Sequence, residues 1–149
     1  MWRNAHDTYL EDRVLSAGPL ELVHLLYRSC ITAVGDARDH LAEGRILERA
    51  RSISKACAVL MELTTSLDQE RGGEISMRLA QLYDYMHRRL VDANFRQSDE
   101  GLDEVARLLT TLQEGWEEVA QNSRREHRVE TSWMPPEPEV AHASSSWSF

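Results

Sequence analysis

The chain has 149 residues, and its 17 basic and 25 acidic side chains give a formal net charge of −8. Nucleic acid and anionic membrane both repel a surface of that sign, so neither is an expected partner. Hydrophobic residues make up 42%, enough for one soluble domain that buries roughly 70% of its unfolded surface. No apolar run approaches the length of about 18 residues that a membrane span needs, and "MWRNAHDTYLEDR" lacks the apolar core of a signal peptide. A cytosolic protein without membrane insertion is therefore expected. Cys30 and Cys57 lie in helical patterns without CxxC spacing and read as small core residues.

Residues 1–17 carry Trp2, Tyr9, Leu10 and Val14, too sparse for a full helix. The first helix is predicted to begin at Pro19, where a missing N–H costs nothing, and to end at Gly44. Its stripe is Leu22, Leu26, Cys30, Ala33 and Ala37, widened by Val23, Val34 and Leu41. The second helix, near 45–69, carries Ile46, Ala50, Ile53, Cys57, Leu60 and Leu67. Gly72 and Gly73 then break the chain and supply the positive φ of a helix end and a tight reversal. The third helix, near 74–95, has Ile75, Leu79, Leu82, Met86, Leu90 and Ala93 on one face, and Ser98 or Asp99 is placed to cap the next. In the fourth, Leu102, Val105, Leu109, Leu112, Trp116 and Val119 repeat like a coiled-coil seam. Long amphipathic helices with short connections make antiparallel neighbours. The predicted architecture is an all-α, antiparallel four-helix bundle over 18–121. It lies between an N-terminal capping segment, 1–17, and a disordered tail, 122–149, marked by its proline cluster and serine run.

Chemistry is hard to place on this pattern. Helical bundles hold metals through inward Glu-x-x-His pairs, and Glu21/His24 and Asp84/His87 have that spacing. At about 100° per residue, Glu21, His24 and Asp84 point away from their own apolar seams. The other histidines show no ligand spacing, and no GxSxG, Walker-type or dinucleotide-binding glycine motif occurs. No enzyme activity, metal or cofactor is expected. What stands out is the second helix, whose apolar arc around Leu60 spans about 200°, where a bundle corner needs little more than about 100°. Either neighbouring segments cover the surplus, or it forms a groove for an amphipathic helix of a partner.

"SLDQERGGEI" followed by "LAQLYDYMHRRLVDAN", with "AGPLELVHLLYR", "KACAVLMEL" and "LDEVARLLTTLQEGW", resembles the flagellin-export chaperone family, FliS, over about residues 9–120. The chain departs from the family pattern at Gly18, where serine is usual before the proline, and at Arg28-Ser29, where Asp-Gly is common. The tail is also longer than the family usually carries. The resemblance implies a cytosolic chaperone that binds the disordered C-terminal segment of flagellin, which folds into helices on apolar grooves. Such a chaperone prevents premature polymerisation and delivers flagellin to the export gate. It further implies an N-terminal segment that covers part of that surface when free. The inferred flagellin-binding residues are Tyr9, Leu10 and Val14 in the cover, and Ala56, Val59 and Leu63 on the second helix. The competing readings are a self-associating structural or regulatory bundle and a helical metalloenzyme.

Overall fold

The computed structural model describes residues 19–133. The expectations for Tyr9, Leu10 and Val14, and for the tail beyond Trp133, lie outside the described residues. Four helices follow one another: α1 (Pro19–Ala42), α2 (Ile46–Thr65), α3 (Gln69–Arg96) and α4 (Asp99–Trp133). Up to Glu117 they form an antiparallel bundle, and the described residues 118–133 belong to a separate unit.

The helix ends show why the chain turns where it does. α1 closes in a Schellman motif, in which the Arg45 N–H donates to the His40 carbonyl at 2.9 Å and the Gly44 N–H to that of Leu41 at 3.2 Å. Gly44 supplies the left-handed conformation at φ +72°. α3 ends similarly, with the Ser98 N–H on the Ala93 carbonyl at 3.1 Å, but here Gln97 takes the left-handed position. Ser98 then opens α4, its Oγ accepting from the Glu100 N–H at 3.3 Å.

The reversal between α2 and α3 comes earlier than the glycine pair. α2 stops at Thr65, and Asp68 caps α3 by accepting from the N–H groups of Glu70 and Arg71 at 3.1 and 3.0 Å. A turn of helix follows, and a kink at Gly73 (φ 49°, ψ −123°) restarts it. Gly72 is needed for space, because a Cβ there would sit 1.7 Å from Ser76 Oγ. That hydroxyl is itself held on the Asp68 carbonyl at 2.9 Å. The pair is thus a kink that joins the cap to the long helix, while Ser66–Asp68 make the turn. Gly73→Ala forces a side chain into a conformation open only to glycine, at a cost of about 1–3 kcal/mol. A fall in Tm of about 5 °C or more is expected in thermal denaturation; an unchanged Tm would show that the kink is dispensable.

The core collects Tyr27, Cys30, Val34 and Ala37 from α1, Ile53, Ala56, Leu60 and Leu63 from α2, Tyr83, Met86, Leu90 and Ala93 from α3, and Leu102, Val105 and Leu109 from α4. About half of the predicted seam positions are there and several others pack half-buried against it, with instructive exceptions. Leu22 and Leu26 are only half-buried, while Tyr27 is fully enclosed. Ile46 is 60% and Ile75 70% exposed, and their inner places go to Arg49 and Ser76. The kink at Gly73 breaks the register before Ile75, so a count back along α3 misplaces it. Both thiols are free. Burial, with the nearby Cys57 second, pushes the Cys30 thiol up to about 12, so it behaves as a core group.

α4 does not end near Gln121 as predicted. It continues as helix to Trp133, so residues 122–133 are ordered helix and not tail. No proline or glycine interrupts this stretch before Pro135, and Glu and Arg are good helix formers. From Gln121 to Trp133 every described side chain is exposed, including Val129 at 58% and Trp133 at 76%. Backbone hydrogen bonding, not packing, sustains this part.

Candidate functional site

Three helices are pinned together by a polar cluster inside the bundle. The Tyr27 and Tyr83 hydroxyls lie 2.5 Å apart, and the Trp116 Nε1–H donates to Tyr27 Oη at 3.1 Å. The two tyrosine rings meet edge-on at 6.4 Å. Burial raises both tyrosine pKa values, so neither hydroxyl ionises under ordinary conditions. At the rim, Arg38 of α1 forms a bidentate pair with Asp99 of α4 at 2.8 and 2.9 Å and reaches Asp103 at 3.3 Å. Hydrogen bonding from Arg38 holds the Asp99 carboxyl below the usual carboxylate range. Arg89 of α3 reaches Glu104 of α4 at 2.7 Å, and Tyr85 donates to the same carboxylate.

Tyr83 also forms part of the wall of a cleft between α2 and α3. With Leu60, Met61, Thr64, Thr65, Ala80, Asp84 and His87 it encloses about 320 Å³. Met61 is 63% exposed on the outer lip. The contact between Arg49 and Asn94 fixes the relative register of the two helices. At about 100° per residue, Ile46 and Met61 then fall on the same flank of α2, with Val91 on the facing flank of α3 and Met77 and Phe95 further round on its outer face. All of these are more than half exposed, Phe95 most of all at 86%. The strip from Ile46 to Met61 runs roughly 22 Å, about four helical turns. A long apolar strip with methionines at one end suits a helical partner, because methionine adapts to varied side chains.

The open edge is not the one singled out from the sequence. Ala56 (0%) and Leu63 (1%) are core residues, and Val59 is half-buried against the core on the other flank of α2. The wide arc of α2 is real, but its Ala56–Leu63 part is consumed by α1 and α3. Cys57 and Val59 are both half-buried against the core, and Met61 is the margin residue that faces outward. The cue available in the sequence was Met61 itself, a methionine at the margin of the arc, together with Val91 and Phe95 outside the seam of α3. Among the metal lookalikes, Glu21 and Asp84 are exposed. Asp84 pairs with Arg88 at 3.1 Å, and His24 Nδ1 lies 3.7 Å from Glu117. Among the described residues no three His, Cys, Asp or Glu side chains converge as a metal site, and no helix is long and apolar enough to cross a membrane.

Comparison with known proteins bears on the same helices. The family model described as flagellar protein FliS matches residues 2–123. The flagellar secretion chaperone FliS of Salmonella typhimurium is 38% identical over 112 residues, covering 74% of this chain and 83% of the relative. The chaperone FliSB of Pseudomonas aeruginosa is 36% identical, covering 74% and 88%. FliS of Bacillus subtilis is 29% identical over 83% of this chain and 92% of its own length. A match that spans the whole bundle, in relatives covered nearly end to end, is a match of the complete fold: the chain belongs to the FliS family of flagellar proteins.

Proposed function

We infer that this chain is a flagellar secretion chaperone that binds the disordered C-terminal region of newly made flagellin in the cytosol. Bound there, flagellin is kept from polymerising early and is handed to the flagellar export gate. The reading rests on family membership, and the observation that carries it is the apolar strip between α2 and α3. A disordered segment that folds on binding must bury enough apolar surface to exceed its ordering cost of several kcal/mol. Ile46, Met61, Met77, Val91 and Phe95 offer such surface along about four turns of helix.

Isothermal titration with the C-terminal segment of the cognate flagellin tests this reading. The expected Kd is about 1 µM or tighter, about −8 kcal/mol, with a clearly negative heat-capacity change. Size-exclusion chromatography should show a one-to-one complex. No heat of binding, together with elution as an oligomer that the segment leaves unchanged, would instead favour a self-associating bundle.

A further inference from the structure

At the Ile46–Phe95 end of the strip, Arg49 presents an unusual arrangement. Its side chain is 4% exposed, yet among the described residues no carboxylate pairs with it. Its Nε–H donates to Asn94 Oδ1 at 3.0 Å and an Nη2–H to the Asn94 carbonyl at 3.3 Å. A guanidinium has five N–H donors, and a buried one ordinarily offsets its desolvation against an anion. Arg49 is held in place by an amide and a carbonyl, with donors to spare.

A second feature adjoins it. α2 begins at Ile46 behind an Arg45 N-cap that makes no side-chain capping bond. Among the described residues no side chain caps the Ile46, Leu47 and Glu48 N–H groups, which lie at the positive end of the helix dipole. Of the charges nearby, Arg45 is paired with Glu43 at 3.1 Å, and Glu48 is exposed in the first turn. Around these donors lie the exposed apolar side chains of Ile46, Leu47 and Phe95.

We propose that the α2–α3 strip ends in a carboxylate site, where Arg49 and the open N-terminus of α2 take the C-terminal carboxylate of the bound flagellin segment. This rests on the reading of the strip as the flagellin site. A terminal carboxylate fits better than an internal Asp or Glu for a physical reason. It sits at the negative end of its own helix, so its charge and that dipole both point at the positive end of α2. The bound helix consequently runs antiparallel to α2, from the Met61 end toward Ile46, with its last apolar side chains on Val91 and Phe95. Because the chain as a whole carries −8, attraction at this end is local and does not steer anions from a distance.

The test compares two forms of the flagellin C-terminal segment, free acid and C-terminal amide, by titration into the full chain at one salt concentration. The amide should bind about tenfold more weakly, about 1.4 kcal/mol. With Arg49→Met, checked for folding by circular dichroism, acid and amide should bind alike. Equal binding of both forms to the wild-type chain, within twofold, overturns the proposal and leaves the flagellin reading standing. That comparison needs no variant, so unfolding of Arg49→Met does not spare it. If an internal Glu→Gln change weakens binding where amidation does not, the site reads a side chain and the terminal assignment falls. Failure of both forms to bind removes the flagellin reading and this site with it.

Discussion

Leu63→Asp should fail to fold, whereas Met61→Asp, two residues away, should fold and lose its partner. Leu63 is 1% exposed within the core, and an unpaired carboxylate there costs about 4 kcal/mol or more. That is a large share of the roughly 5–15 kcal/mol by which a domain of this size is stable. Met61 is 63% exposed, so its replacement leaves the core untouched. An aspartate on the lip of the cleft would be desolvated only when a partner helix covers it, and flagellin binding should weaken by about two orders of magnitude, about 2.7 kcal/mol. Val59→Asp, half-buried on the other flank, should reduce stability more than binding. Urea denaturation and titration of the three variants separate these outcomes. A folded Leu63→Asp that still binds, or a Met61→Asp that binds normally, would move the docking surface away from the Met61 edge.

The second large effect is expected in the hydroxyl cluster. Three donor hydrogens, the Trp116 indole N–H and the Tyr27 and Tyr83 O–H groups, share two hydrogen bonds, and Tyr27 takes part in both. Tyr27→Phe removes both bonds and strands the indole N–H and the Tyr83 O–H, at a cost of about 2–3 kcal/mol. Tyr83→Phe removes one bond and leaves the indole satisfied, at a cost of about 1 kcal/mol. Both changes keep the ring and its packing, so the difference measures the hydrogen bonds. Equal destabilisation of the two variants in chemical denaturation would mean that Tyr27 is not the hub.

Much of the bundle was legible along the chain. Pro19, Gly44 and Ser98 mark helix ends because their backbone chemistry acts within a few residues. The core positions of α4 and most of α3 follow from period alone, since a helix that buries one face must repeat its apolar groups every three or four residues. The family motif was readable for the same reason, as an unbroken local string.

Other features depended on partners far away in sequence. Tyr27 stands outside the stripe predicted for α1, and is accommodated in the core because Tyr83 and Trp116, 56 and 89 residues away, satisfy its hydroxyl. Arg49 occupies an inner place because Asn94, 45 residues on, receives it. Periodicity could not say which edge of the broad α2 arc stays open, since that depends on where α1 and α3 settle against it. By itself the sequence determined the helices, their order, the turns near 44 and 98 and the family. Only the tertiary structure decided which apolar faces are spent on the core and which flank stays exposed, because burial is a property of two surfaces meeting and a helical period describes only one.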